Sequence, residues 1–83
     1  MTDAYLAPII DAIGLNTPLE DILRSMTRPG TTTPELEWDG KLWVCYWIFD
    51  HYLCIGRSTN PRHAVWFAVA RAEKARRDEA DHA

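Results

Sequence analysis

Apolar residues near the N-terminus recur with the spacing of an amphipathic α-helix. The residues on this face are Tyr5, Leu6, Ile9, Ile10 and Ile13. Because proline has no backbone N–H, Pro8 must lie in the first turn of that helix. We therefore expect a short helix that begins near Leu6 and stops at Gly14, a residue that suits a helix C-terminus.

A second helix is predicted directly afterwards. Thr17 is a suitable N-cap, Pro18 suits the first helical position, and Glu20 completes a capping box. The apolar stripe of this helix is Leu19, Ile22, Leu23 and Met26. Residues 1–28 are thus predicted to form a helical hairpin, and the proline- and glycine-containing segment 29–34 a surface loop.

From residue 35 the pattern changes to the alternation of β-strands. Residues 35–38 predict a short strand, residues 41–49 a long one, and residues 52–55 a third that Gly56 stops. The pairs Asp39-Gly40 and Asp50-His51 are interpreted as two-residue turns. Residues 35–56 are therefore predicted to form a three-stranded antiparallel meander with its longest strand in the middle.

Two-residue turns would pair Trp38 with Lys41 and Phe49 with Tyr52, and this register divides the sheet into two apolar faces. One face collects Leu42, Val44, Tyr46, Ile48, Leu53 and Ile55. The other collects Leu36, Trp38, Trp43, Cys45, Trp47, Phe49, Tyr52 and Cys54. Two arrangements fit this pattern. In one, helices cover both faces in a three-layer sandwich; in the other, part of the tryptophan-rich face stays free for a partner.

The last element is a helix with a small-residue face. Asn60 is its predicted N-cap and Pro61 its first residue. The face consists of Ala64, Val65, Ala68, Val69, Ala72 and Ala75. We expect a helix over residues 60–77 that packs closely on the sheet, followed by a frayed tail over residues 78–83. The fold class is therefore α+β in one domain.

Charge is distributed unevenly along the chain. Residues 1–56 carry a net charge of −5, residues 57–77 of +5 and residues 78–83 of −3. The hydrophobic content of 47% excludes a disordered chain, and no apolar run reaches the roughly 20 residues of a membrane span. The N-terminus has no basic region typical of a signal peptide, so we predict a cytoplasmic protein.

Catalytic and metal-binding patterns are not found in the sequence. The three histidines have no nucleophile at a readable spacing, and no phosphate-loop, dinucleotide or zinc motif is present. Cys45 and Cys54 are predicted to be buried structural thiols, diagonal across two strands and too far apart for an unstrained disulfide. We therefore predict that the protein is not an enzyme and that it has no cofactor.

Nucleic acid is a second class of partner to consider, because the six bases of residues 57–77 could contact phosphates. The pI of about 5.5 is far below that of a typical nucleic-acid-binding domain and argues against direct binding.

The overall arrangement resembles a known group of small proteins. The features concerned are a tryptophan-rich hairpin and two helix starts, Asn16-Thr17-Pro18-Leu19-Glu20 and Ser58-Thr59-Asn60-Pro61-Arg62. In these features, in its length and in its acidity, the chain is similar to small accessory proteins of phages and prophages, some of which are anti-CRISPR or other anti-defence inhibitors. The resemblance covers the architecture but no functional residue. It implies stoichiometric binding to a host protein complex in the host cytoplasm.

We therefore predict a non-catalytic protein-binding module that uses aromatic surface and one of two charged regions. The acidic candidates are Glu35, Glu37, Asp39 and Asp50, with Trp38 beside them. The basic candidates are Arg62, Arg71, Lys74 and Arg77 around Trp66. The alternative is a self-assembling structural or regulatory protein that forms a homodimer through the aromatic sheet face.

Overall fold

The computed structural model describes residues 6–14, 17–27, 34–49 and 51–81 of the chain. Its elements are α1 (Leu6–Gly14), α2 (Leu19–Ser25), β1 (Glu35–Trp38), β2 (Trp43–Phe49), β3 (Tyr52–Ser58) and α3 (Pro61–Asp81). The strands form one antiparallel sheet in the order β1-β2-β3, and α3 packs on it. The predicted α+β class and the element order are confirmed. Of the loop predicted over 29–34, all but Pro34 lies outside the described residues.

The capping box predicted for α2 does not form. The helix begins at Leu19, so Pro18 is the N-cap, and no side chain caps the first turn. Pro18 has φ −52° and ψ 137°, an extended conformation outside the helix, and its carbonyl accepts the first helical hydrogen bond from the Ile22 N–H at 3.2 Å. The prediction placed the start of α2 one residue too early because proline can occupy either position.

The first hairpin is longer than predicted. Trp38 pairs with Trp43 instead of Lys41, so the loop contains four residues, 39–42. The Asp39 carboxylate accepts hydrogen bonds from the backbone N–H groups of Lys41 and Leu42 at 2.9 and 2.7 Å, and Gly40 adopts φ 103°. This side-chain bonding stabilises a wider turn than Asp-Gly usually makes. The second hairpin has the predicted register, with Phe49 opposite Tyr52.

Strand β3 does not stop at Gly56, as the sequence suggested, but continues to Ser58. Gly56 is buried against α3, where an added Cβ would lie 2.6 Å from the backbone nitrogen of Ala68 and closer still to the carbonyl oxygen of Ala64. This glycine therefore permits close approach of a helix and does not end the strand.

Helix α3 has the predicted start and the predicted inner face. The Asn60 side chain accepts a hydrogen bond from the Arg62 N–H at 2.9 Å, which is the geometry of an N-cap. Ala64, Val65, Ala68, Val69 and Ala72 on the small-residue face are fully buried. The prediction that the helix frays after Arg77 is wrong, since it runs to Asp81. Tyr52 from the sheet donates a 2.6 Å hydrogen bond to Glu79 and so anchors this last part of the helix.

All three helices pack on the same face of the sheet, called here the inner face. Its residues are Leu36, Trp38, Trp43, Cys45, Trp47, Phe49, Tyr52, Cys54 and Gly56. Ile9 of α1, Ile22 of α2 and Val65 of α3 belong to one core with Trp47 and Phe49. The Trp47 indole N–H donates to the Met26 carbonyl at 3.2 Å, which fixes the end of α2 over the sheet. The three-layer sandwich is therefore wrong. The fold has two layers because the N-terminal helices lie beside α3.

Candidate protein-interaction surface

The opposite side of the sheet, the outer face, carries apolar side chains that no described helix covers. Its residues are Glu35, Glu37, Val44, Tyr46, Ile48, Leu53, Ile55 and Arg57. Ile48 and Leu53 are paired across β2 and β3, and they are 39% and 62% exposed. Tyr46 and Ile55 form the next pair and are half-buried. These four residues form an apolar surface that is most exposed near the second turn, whereas Val44, further from that turn, is 3% exposed.

Acidic residues border this apolar surface along β1. Glu35 lies opposite Tyr46 and Glu37 opposite Val44, and both carboxylates are exposed. Arg57 lies on the other side of Val44, on β3. The two predicted acidic candidates on β1 thus share a face with the exposed aliphatic residues, and this places charge next to apolar surface as in many protein interfaces.

Asp39 stabilises the first hairpin through its side-chain hydrogen bonds. The backbone hydrogen bonds from Leu42 and Lys41, and then the positive charge of Arg57, hold the pKa of its carboxyl below the ordinary value of 3.8. Asp39 is exposed, so it still contributes negative charge beside Glu37. Asp50, the remaining acidic candidate, lies outside the described residues.

The structure separates Trp38 from the two glutamates. Its side chain lies on the inner face, where its ring centroid is 5.5 Å from that of Trp43, and it is 53% exposed at the end of the sheet. Glu35 and Glu37 point to the outer face because side chains alternate along a strand. Trp38 is therefore an exposed aromatic residue on a different surface.

Trp66 lines a second apolar surface, between α1 and α3. It is 42% exposed, Phe67 is 41% exposed, and their ring centroids are 5.2 Å apart. Together with Ile10, Ile13 and Arg62 they line an open cleft of about 910 Å³. This cleft lies on the helical side of the molecule and does not join the outer face.

Arg62, a predicted basic candidate, is engaged within the fold. Its guanidinium donates to the carbonyls of Ile13 at 2.7 and 3.2 Å, of Ala12 at 3.2 Å and of Thr17. These carbonyls lie at the end of α1 and in the connection to α2. Cationic groups are favourable at a helix C-terminus, so Arg62 joins the N-terminal helices to α3.

The other basic candidates are exposed on α3. Arg71 and Lys74 line a cleft together with Phe67, on the side of the helix that faces β3. Arg77 is exposed but does not line that cleft. The predicted cluster around Trp66 is therefore divided: Trp66 lies with Arg62, Arg71 and Lys74 lie in the other cleft, and Phe67 lines both clefts.

The two cysteines are buried in the core as free thiols, as the structural interpretation predicts. Burial, and to a smaller degree the neighbouring Cys54, raises the pKa of the Cys45 thiol to about 11. Burial also raises the pKa of Cys54. Since the thiolate is the reactive form, both side chains act at neutral pH as small apolar core residues.

Within the described part of the chain, no group of His, Cys, Asp and Glu is placed to hold a metal ion. None of the described helices has the length and apolarity of a membrane span. No protein-family model, curated protein or solved structure matches the chain.

Sequence reasoning missed the outer face as a candidate site. It placed Tyr46, Ile48, Leu53 and Ile55 on one face correctly, but its two alternatives were helices on both faces or a partly free tryptophan-rich face, and neither left this face open. No local signal identified this face, because both faces are apolar and the lengths of α1 and α2, nine and seven residues, do not determine which face they cover.

Proposed function

We propose that this protein acts without catalysis, by binding another protein through the outer face of its sheet. The observation that carries the proposal is the exposure of Ile48 and Leu53 as a cross-strand pair, at 39% and 62%. Contiguous exposed apolar surface with a polar border is typical of recognition sites.

The border indicates the character of the partner. Glu35 and Glu37 flank the apolar residues on β1, and Asp39 adds a third carboxylate at the hairpin. Such a surface complements a basic partner surface and accelerates the encounter with it. A groove that binds nucleic acid has this basic character. In keeping with the resemblance to phage accessory proteins, the proposed partner is a host defence complex, which the protein inhibits stoichiometrically in the host cytoplasm.

The decisive experiment compares two substitutions of exposed apolar residues. Leu53→Glu introduces charge into the outer face, whereas Trp66→Glu introduces it into the α1–α3 cleft. The proteins are produced in a bacterium whose CRISPR–Cas system targets a test phage, and plaques are counted. We expect the unmodified protein and Trp66→Glu to raise the plaque count and Leu53→Glu to abolish the increase. Loss with Trp66→Glu alone would place binding in the cleft, and no increase with any protein would refute the anti-defence function.

Charge is tested separately. Glu35→Lys with Glu37→Lys should slow association with the purified defence complex and reverse the dependence of the association rate on salt concentration. Asp11→Lys with Glu20→Lys is the matched control, because it changes the net charge equally at exposed positions on α1 and α2. Equal effects of the two pairs would show that only net charge matters and would contradict the proposed border.

Self-assembly is the second candidate function, and the same exposed face favours it. The aromatic inner face cannot form the dimer as predicted, because Trp47 and Phe49 are fully buried under the helices. A homodimer would instead pair two outer faces. Light scattering at micromolar concentration decides between the candidates: a dimer that Leu53→Glu dissociates favours self-assembly, and a monomer favours a foreign partner.

A further inference from the structure

Strand β3 is an edge strand with little protection against further strand pairing. It has seven residues, one charged side chain, Arg57, and no proline. The other edge, β1, has four residues, two of which are glutamates. Short strands and charged side chains are the usual means of blocking an edge. Beyond β3 the described residues contain no further strand, so this edge is open to a partner's backbone.

The register identifies the backbone groups that a partner would meet. The two-residue turn makes Phe49 and Tyr52 a hydrogen-bonded pair, and such pairs alternate along an antiparallel ladder. The N–H and C=O groups of Tyr52, Cys54 and Gly56 therefore point toward β2. Those of Leu53, Ile55 and Arg57 point away from the sheet, in the direction of an added strand.

Helix α3 forms a wall beside this edge. Two adjoining clefts, of about 470 and 300 Å³, lie between α3 and β3, and both are lined by Arg71 and Lys74. Phe67 and Ala70 give the larger cleft an apolar floor next to Ile55. The clefts together follow residues 52–57, which at about 3.3 Å per residue amounts to roughly 20 Å. An extended segment of six residues fits this length.

The two clefts together form one groove between β3 and α3, and the charge of this groove is positive. Arg57, Arg71 and Lys74 are exposed along it, and none of them forms an ion pair with another described residue. Arg76, by contrast, lies over the Phe49 ring at 5.1 Å and 3.9 Å from Glu79, and so belongs to the fold. Among the described residues, Asp78 is the one acidic residue that lines the clefts.

We propose that the groove between β3 and α3 binds an extended acidic peptide segment of a partner protein, which adds a fourth strand to the sheet beside β3. Its backbone pairs with Leu53, Ile55 and Arg57, its acidic side chains meet Arg71 and Lys74, and an apolar side chain lies on Phe67. A nucleic acid would also meet the basic side chains, but it cannot continue a β-ladder. This site shares Leu53, Ile55 and Arg57 with the outer face, but it uses their backbone groups and the side of the edge next to α3, and it does not depend on the proposed function.

The test uses a fluorescein-labelled ten-residue peptide in which glutamate and valine alternate. Fluorescence polarisation at low salt should show saturable binding to the full chain. Arg71→Glu with Lys74→Glu should weaken binding at least about tenfold, whereas Arg24→Glu with Arg77→Glu, which changes the net charge equally at exposed positions outside the groove, should leave it within about twofold.

Strand addition is tested with the unmodified protein, so that no variant needs to fold. The same peptide with alternate backbone nitrogens methylated should lose binding, and the parent peptide should slow hydrogen exchange at the amides of Leu53, Ile55 and Arg57. Equal binding of the methylated peptide, or unchanged exchange, would overturn the proposal. Tighter binding of a single-stranded oligonucleotide, or salt-sensitive self-association that competes with the peptide, would assign the groove to another occupant and also overturn it.

Discussion

Gly56→Ala should destabilise the protein more than Gly14→Ala or Gly40→Ala. Gly56 lies in β3 directly beneath α3, and the added Cβ would lie 2.6 Å from the nitrogen of Ala68 and 3.0 Å from the carbonyl carbon of Ala64. All of these neighbours are backbone atoms of one helix. A side-chain rotation cannot relieve the clash, so either α3 or β3 must move as a unit.

The cost follows from the size of that movement. Non-bonded heavy atoms need about 3.5 Å, so the contact with the Ala68 nitrogen alone requires α3 to retreat by about 0.9 Å, and the closer carbonyl oxygen of Ala64 requires more. A gap of this size forfeits a quarter to a half of the dispersion energy along the interface, here between the sheet and the buried Ala64, Ala68 and Ala72. We expect Gly56→Ala to lower the free energy of unfolding by about 3 kcal/mol, which is the upper end of the range for overpacked cores. A chain of this length has about 4–12 kcal/mol of total stability. The melting temperature should therefore fall by about 12–24 °C.

The assay is urea denaturation followed by tryptophan fluorescence, since Trp47 is fully buried in the core. Gly14→Ala is the matched control, because an added Cβ there has no neighbour within 4 Å. It should be neutral or stabilising by up to about 1 kcal/mol. Gly40→Ala separates backbone strain from packing, because the added Cβ has open space around it but the residue has φ 103°. We expect this variant to lose about 1–2 kcal/mol of stability. If Gly56→Ala unfolds at the same urea concentration as Gly14→Ala, the close packing of α3 on β3 is refuted.

Three further predictions concern the core, the helix connection and the first hairpin. Trp47→Ala should lower the free energy of unfolding by about 3–5 kcal/mol, because the side chain is fully buried and donates to the Met26 carbonyl. Trp66→Ala should lower it far less, because Trp66 is 42% exposed. Equal urea midpoints of the two variants would contradict the assignment of the inner face as core. Arg62→Lys should lower the free energy of unfolding by about 1–3 kcal/mol, because one ammonium group cannot reach the carbonyls of Ala12, Ile13 and Thr17 together. Arg77→Lys is the control at an exposed position, and an equal loss of stability there would refute the role of Arg62. Asp39→Asn should lower the melting temperature at pH 7. Because the folded-state pKa of Asp39 is depressed, the stabilisation by its carboxylate is present above the ordinary pKa of 3.8 and is lost as the pH falls through the lower folded value. The difference in melting temperature between the two proteins should therefore shrink below about pH 4. A difference that stays constant with pH would show that the carboxylate is irrelevant.

Local sequence determined the type and order of the elements. Asn60 and Pro61 define a helix start, and the alternation of residues 43–49 defines a strand, because each depends on backbone geometry and on neighbours within a few residues. The division of the sheet into faces was also predicted, although the first hairpin has four loop residues where two were expected. A shift of two residues leaves every side chain on its original face. Glu35 and Glu37 could therefore be named as candidates before their neighbours were known.

Tertiary structure alone decided which face of the sheet would be covered. Both faces are apolar, so hydrophobicity along the strands does not distinguish Trp47, which is fully buried, from Leu53, which is 62% exposed. The difference arises because α1 and α2 lie beside α3, where Arg62 binds the end of α1 and Trp47 binds the end of α2. Gly56 shows the same limit. Its role depends on the backbone of Ala64 and Ala68, eight and twelve positions further along the chain. A contact between residues so far apart in sequence cannot be predicted from the local pattern.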